Sequence, residues 1–497
     1  MSRIGVSVVF VLYLLVMLGI GALFYRRTGN MAQYFLGDRK LNKWVASLSA
    51  QASDMSGWLL LGLPGFAYLQ GVSAAWIALG LLVGTYLNWR CVARRLRRYT
   101  GVSPDIITLS DYFEHRFRDD SKLLRVISAL FILIFFLIYT SSGFVAGGKL
   151  FSTVFEFPYR VALVIGALVV VSYTFLGGFH AVCWTDFFQG TLMFFAVLVV
   201  PVVGIVAADG PGATIAALHE ADPGFFDLVR PGETATVFAT SIGVVSLLAW
   251  GLGYFGQPHI LARFMAIKSS RDIPYARRIA MVWVVVALVC AVLVGMVGRT
   301  YLASPLEGSD SEKVFILMVT DIFPSVLAGV LLAAILAAIM STADSQLLVT
   351  ASAITEDFYK ALCRRLAGQR ELVWVSRIAV AAVALVAFAL ALEPDSSVLA
   401  LVAYAWGGFG AAFGPAIILS LYWRRMTRSG AIAGILLGGL TVLVWKRLEG
   451  GIFDVYEIVP GFILSTLGIV VVSLATPAPG REILDEFDRV TSSETES

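Results

Sequence analysis

The chain has 497 residues, of which 58% are hydrophobic and only 14% charged, and its mean hydropathy is +0.83. No water-soluble domain of this size needs so apolar a composition for its core, so the chain reads as an all-α, polytopic protein whose solvent is the lipid bilayer. The formal charge of +3 is spread over many short loops with no stripe able to track a phosphate backbone, which excludes nucleic acid as a partner. Cys91, Cys183, Cys290 and Cys363 lie far apart, with no C-x-x-C and no histidine at metal spacing, so neither a disulfide framework nor a zinc site is signalled. No Walker, H-E-x-x-H or G-x-S-x-G motif occurs, consistent with no enzymatic step, and nothing implies an obligate protein partner.

Apolar runs able, or nearly able, to cross ~30 Å of hydrocarbon as helices recur about thirteen times. In chain order they are Ile4 to Tyr25, Trp44 to Leu69, Val72 to Trp89, Val126 to Ala146, Val161 to Phe175, Phe187 to Val206, Val237 to Phe255, Ile279 to Val297, Val326 to Val349, Ile378 to Leu392, Val398 to Trp423, Ala431 to Val444 and Ile458 to Leu474. The first run is too long for a signal-peptide core and no cleavage motif follows it, so it is expected to be retained. With the N-terminus outside, the basic groups Arg26/Arg27/Arg39/Lys40/Lys43, Arg94/Arg95/Arg97/Arg98, Arg263/Lys268/Arg271/Arg277/Arg278, Arg364/Arg365/Arg370 and Arg424/Arg425/Arg428 all fall in cytoplasmic loops, as the positive-inside rule favours. The alternate loops are acidic: Asp209, Glu220, Asp222, Asp227 and Glu233 precede the seventh run, and Glu307, Asp310 and Glu312 the ninth. An odd number of spans then leaves the C-terminus inside, where the polar tail from Pro477 to Ser497 is expected to be solvated with no fold of its own.

The second run carries Ser53-Asp54-Met55-Ser56-Gly57-Trp58 at its middle. An aspartate at a helix centre in lipid costs about 2.5 to 3.5 kcal/mol on insertion scales, so such a residue usually marks a site. Glycine and hydroxyls beside it predict a helix interrupted at membrane depth, where loosened backbone groups face a cavity and bind a small ion. The plain alternative is that Ser53 or Asp54 only caps a half-helix. The seventh run ends in Trp250-Gly251-Leu252-Gly253-Tyr254-Phe255-Gly256-Gln257-Pro258. Glycine costs about 1 kcal/mol against alanine inside a helix and proline about 3, so this span is expected to unwind or end there. Aromatic packing of Trp250 and Tyr254, and close helix packing at Gly251 and Gly253, stay open as simpler readings.

Spans two and seven are five apart, and each opens a five-helix unit of odd number, so the second unit enters the membrane from the opposite side. That divides the chain into a first helix with its basic loop (1–43), a first repeat (44–207), an outer loop (208–236), a second repeat (237–425), two peripheral helices (426–476) and the tail (477–497). The geometry predicts a binding site at the midplane. In the ninth span, Ser341, Asp344 and Ser345 share one helix face, with Ala338 a turn before them. Hydroxyls and carbonyls are hard donors that replace the water of a sodium ion without holding it irreversibly. Back-bonding of Ser341 and Thr342 to carbonyls four residues earlier is the alternative.

The strings ASDMSGW (Ala52 to Trp58), WGLGYFGQPHILARFMA (Trp250 to Ala266), AILAAIMSTADSQLL (Ala334 to Leu348) and YAWGGFGAAFGP (Tyr404 to Pro415) closely resemble the proline-carrying bacterial members of the sodium:solute symporter family. The likeness extends to about Leu474. It implies thirteen helices with the five-plus-five inverted-repeat core of the leucine-transporter type, in a bacterial cytoplasmic membrane, moving L-proline with sodium as the co-transported ion. By motif, the resemblance implies a sodium site of the carbonyls of Ala52, Met55 and Ala338 and the hydroxyls of Ser341 and Thr342, with Asp54 as electrostatic support. It places Ser56 and Gly57 at the substrate pocket, Tyr139, Trp250, Tyr254 and Pro258 in proline recognition, Arg39 in sodium-coupled function and Asp186 in sodium passage. Where some relatives carry Ser-Cys this chain has Asp344-Ser345, a carboxylate that with Asp186 would make a second cation position or an exit relay, or else simply be hydrated. Another small solute on the same fold, or a sensor that binds without transport, are the rival functions.

Overall fold

In hydrocarbon a backbone must satisfy its own polar groups, and a helix does so within one segment. The computed structural model describes residues 3–25, 31–102, 106–174, 178–229, 237–364 and 366–492. Among them, the only pairing of strand type is an isolated parallel bridge between Leu41 and Ile267. Among the described residues, eleven helices are long and apolar enough to cross a membrane. Two of the expected runs differ in extent from the rest. Val72 to Trp89 belongs to one continuous helical stretch, Trp58–Thr100, bent at Gly71 where φ is +61°. Val161 to Phe175 corresponds to the shorter helix Tyr159–Thr174.

Both expected breaks are present. The second span starts at Lys43–Asp54, where the Asn42 side chain accepts from the amides of Trp44 and Val45, each at 3.0 Å. It leaves helical geometry at Met55 (φ −82°, ψ 60°), resumes through a wide turn at Trp58–Gly62 and continues as Leu63–Gln70. The seventh span runs Val237–Leu248, tightens into a 3-10 path over Ala249–Gly256, and extends at Gln257 (φ −78°, ψ 107°). It then resumes as Pro258–Ala266. Proline suits that first helical position because its missing N–H is needed by no partner there. This inner half corrects the expected boundary: Arg263, placed by sequence in a cytoplasmic loop, is a helical residue 1% exposed.

Burial ranks the spans. The most apolar window of Ser325–Cys363 is 83% buried and that of Val398–Tyr422 78%, against 22% for the first helix. The ninth and eleventh spans are therefore central and the first is peripheral. At one end of the bundle, Lys149 of the fourth span (Leu123–Phe155) pairs with Glu312 at 2.6 Å, and Glu312 also accepts from Ser397 Oγ and the amides of Val398 and Leu399, capping the eleventh span. At the other end, Arg125 is bound by Asp111 and Glu114 of the short helix Leu109–Phe117 and lies 3.4 Å from Asp357.

The tail departs from expectation. Arg481–Ser492 is a helix docked on the face that carries Arg118 and Arg424. Its charged residues alternate with Phe487 and Val490 at helical spacing, and both apolar side chains are buried. Phe487 lies 5.1 Å under the Arg116 guanidinium, Glu486 pairs with Arg118 and His115, and Asp488 bonds Arg424 at 2.8 Å. Burial alone would raise the pKa of Glu486, but the hydrogen bond from His115 and the charge of Arg118 outweigh it and hold the carboxyl below its ordinary value. Its contribution to docking is thus full above about pH 4.5 and is lost as pH falls through its depressed value. Phe487→Ala should expose the tail to trypsin at Arg481 and Arg489 at neutral pH, where the unsubstituted chain is protected; equal cleavage would mean that the tail is not held by this contact.

Candidate functional site

The second and ninth spans meet where the second is broken. Ser341 Oγ donates to the Ala52 carbonyl at 2.8 Å and approaches that of Ala338 at 3.3 Å, and Thr342 Oγ1 reaches the same Ala52 oxygen at 3.3 Å. All four residues are at most 3% exposed. Four oxygens from two spans thus gather in a water-poor place, a donor set that fits a small hard cation. The fifth expected ligand, the Met55 carbonyl, belongs to the residue at which the helix turns away.

Asp54 sits beside this cluster and faces elsewhere. Its Oδ2 accepts from Tyr254 Oη at 2.5 Å, and its carbonyl accepts from Tyr139 Oη at 3.3 Å. A buried carboxylate therefore ties the break in the second span to the break in the seventh. Ser56 N returns to the Asp54 carbonyl at 2.9 Å, which keeps the turn tight. Gly57 allows close approach to the fourth span, since a Cβ there would stand 2.9 Å from Ala146 Cβ. Trp58 packs on Trp250 at 5.8 Å, and Trp250 on Tyr456 at 5.8 Å, forming an aromatic wall across the outer side of the site.

The unwound stretch of the seventh span has its carbonyls satisfied by side chains. Trp250 O accepts from Trp406 Nε1 at 2.7 Å, Gly253 O from Gln257 Nε2 at 3.1 Å, and Tyr254 O from Asn88 Nδ2 at 3.0 Å. Sequence reading missed Trp406, Gln257 and Asn88 as site residues. The signal available was weak: three amide or indole donors in runs otherwise apolar.

On the side of the cluster toward the start of the second span, Asp186 Oδ2 accepts from Ser49 Oγ at 2.6 Å, Ser53 Oγ at 3.1 Å and Arg263 Nη2 at 3.1 Å. Arg263 Nη2 also reaches Ser345 Oγ at 2.5 Å, and Ser345 Oγ lies 3.1 Å from Ser53 Oγ. Asp344 adjoins this network through Ser345 at 3.4 Å, while its Oδ2 has no hydrogen-bond partner among the described residues. Of the two fully buried carboxylates, Asp186 pairs with the guanidinium directly and Asp344 is joined to it only through Ser345. Arg39 stands apart, donating to Ile106 O at 2.7 Å; burial, and then the charge of Arg97, lower its pKa. Pro258 opens the inner half-helix and lines a small cavity of ≈ 20 Å³ with Ile132, Ala262 and Val349. Breaking a buried pair from one side costs about 3 to 5 kcal/mol because the remaining charge is stranded. Arg263→Met should accordingly lower the melting temperature in detergent steeply, and Arg263→Met with Asp186→Asn should recover part of the loss. A double variant no more stable than the single would show that the pair does not carry this energy.

An all-helical membrane protein with two broken spans meeting a hydroxyl-bearing third at mid-depth defines a class, the secondary carrier with a midplane site. Comparison with known proteins narrows it. The profile of the sodium:solute symporter family matches residues 34–438. The chain is 50% identical to the sodium/proline symporter of Salmonella typhimurium, over 97% of this chain and 95% of that one. It is 48% identical to the high-affinity proline transporter PutP of Bacillus subtilis, over 95% and 98% respectively. The chain belongs to the sodium:solute symporter family. Among solved structures, a sodium-coupled sialic acid symporter in a substrate-bound outward-open state superposes with a TM-score of 0.78 at 18% identity, covering 96% of this chain and 99% of that one. The shared fold is the inverted-repeat core of the leucine-transporter type.

Proposed function

We propose that the chain couples inward sodium flow to the uptake of L-proline by alternating access, without catalysing a reaction. The observation that carries this reading is the meeting of Ser341 and Thr342 with the Ala52 carbonyl at the break of the second span. The relatives named above, both described as proline transporters, support the choice of cargo. A hydroxyl rotates freely about its C–O bond, so the two that now donate to Ala52 can turn their lone pairs to an arriving sodium ion. With the carbonyls of Ala52, Ala338 and Met55 they would hold it, and so order the second break.

Ordering there acts on the pocket through Asp54, whose carboxylate is fixed to Tyr254 in the seventh span. Proline's carboxylate suits the exposed amides at a half-helix start, where the dipole favours an anion. Its ring suits the faces of Tyr139, Trp250 and Tyr254, beside Ser56 and Gly57. If each ligand favours the same closed arrangement, each raises the affinity for the other equally. A membrane potential of 100 mV adds about 2.3 kcal/mol per sodium charge moved inward, enough to concentrate cargo without ATP.

The orientation that serves this direction puts the N-terminus outside and the C-terminus in the cytoplasm of a bacterial inner membrane, with thirteen spans once Trp58–Thr100 is divided at Gly71 and Tyr159–Thr174 is counted. The docking of the tail on Arg118 and Arg424, beside the basic loops, supports a cytoplasmic tail.

In proteoliposomes, an imposed inward sodium gradient should drive accumulation of labelled L-proline, a proton gradient should not, and Asp54→Asn should abolish accumulation. Ser341→Ala should raise the half-saturating sodium concentration about tenfold, the effect of roughly 1.4 kcal/mol of lost coordination. Binding of proline without accumulation would make the chain a sensor, and accumulation indifferent to sodium would remove the assigned ion site.

A further inference from the structure

We propose that Trp406 is a positioning residue of the substrate pocket: its indole sets the path of the unwound stretch in the seventh span, and through that path the affinity for proline and for sodium. The inference rests on the transport reading above and adds to it a residue of the eleventh span.

Trp406 is 1% exposed, in the helix Val398–Tyr422. Its N–H donates to the Trp250 carbonyl at 2.7 Å. Its ring meets that of Tyr254 edge-on, at 5.0 Å between centroids and 89° between planes. Its own carbonyl accepts from Gln257 Nε2 at 3.3 Å, the same amide that donates to Gly253 O. Gly253 lies against the indole so closely that any Cβ there would overlap it. One side chain therefore touches the stretch at Trp250, at Gly253 and at Tyr254, and its backbone reaches Gln257 where the stretch ends.

In a regular α-helix the Trp250 carbonyl would be satisfied by the amide four residues on, within its own segment. In this 3-10 path a bond within the segment is of the poorer three-residue kind, and the carbonyl takes a side-chain donor from another span. A buried carbonyl that loses its partner retains the cost of desolvation, so the stretch would shift to recover one. Two things move with it. The indole ring of Trp250, tilted 42° against Trp58, belongs to the pocket wall, and Tyr254 Oη holds Asp54 beside the sodium oxygens. Trp406 thus acts on both ligands without contact with either.

Trp406→Phe keeps an aromatic ring and removes the donor. The loss of one buried hydrogen bond should raise the KM for proline and the half-saturating sodium concentration about fivefold to tenfold. The kcat should stay within about twofold, since the interaction is uniform over the cycle. In a Tyr254→Phe background the sodium effect of Trp406→Phe should vanish, because the link to Asp54 is already cut, while the proline effect persists. Unchanged KM and sodium dependence, a fall in kcat alone, or sodium effects that simply add would overturn the inference. Should Trp406→Phe fail to reach the membrane, 3-benzothienylalanine at position 406 replaces N–H by sulfur at nearly constant shape. The same KM shift then supports the role, and the KM of the unsubstituted chain refutes it. An unsubstituted chain that accumulates no proline with sodium defeats the transport reading itself; one that does, with unaltered variant constants, defeats only the assignment of Trp406.

Discussion

The constraint on which this structure depends is the demand that every peptide group within the bilayer find a partner. A continuous helix meets it locally, and most of the spans do so. The second and seventh do not, and each interruption transfers that demand to other parts of the chain. At the second break the partners are Ser341 and Thr342 of the ninth span and Tyr139 of the fourth. At the seventh they are Trp406, Gln257 and Asn88. The spans that supply these groups are held to the breaks by polar contacts whose loss would strand an oxygen in a dry interior, and this makes the site specific in shape.

Such an arrangement suits a carrier because its key bonds are exchangeable. A hydroxyl that now donates to a carbonyl can instead accept a cation beside that carbonyl, and the same atoms serve with and without cargo. The carboxylate of Asp54 has a different part. Fixed to Tyr254, it makes the two breaks one mechanical unit, so that order imposed on one is felt by the other. Beyond it, Asp186 holds Arg263 among Ser49, Ser53 and Ser345, and Asp344 joins through Ser345. The balance of charge there is tight, and it connects the inner halves of the second and seventh spans to the sixth and the ninth.

Around this centre the frame is closed at both faces by charges. Glu312 caps the eleventh span while holding Lys149 of the fourth, which fastens an outer loop over the repeats. At the other face Arg125 gathers carboxylates from a short helix and from the ninth span, and the tail helix lies against the same short helix. These are pairs that bind separate spans at their ends.

The sequence by itself determined what depends on local chemistry: the membrane class from composition, the spans from hydropathy, and both breaks from Asp54 and from the crowd of glycines with Pro258. It also marked Ser341 and Thr342, because hydroxyls in so apolar a helix have few reasons to be there. It misplaced Arg263 because a buried arginine and a loop arginine look alike until the partner, Asp186, is found 77 positions away in the chain. It left the tail unfolded because the pocket for Phe487 and Val490 is built by residues hundreds of positions earlier. Only the tertiary structure decided that Asp54 turns to Tyr254 and that the indole of Trp406 donates to the carbonyl of Trp250. Each of those facts is a contact between spans, and periodicity within a span records which face is apolar but not which donor on another helix will meet a carbonyl released from its own.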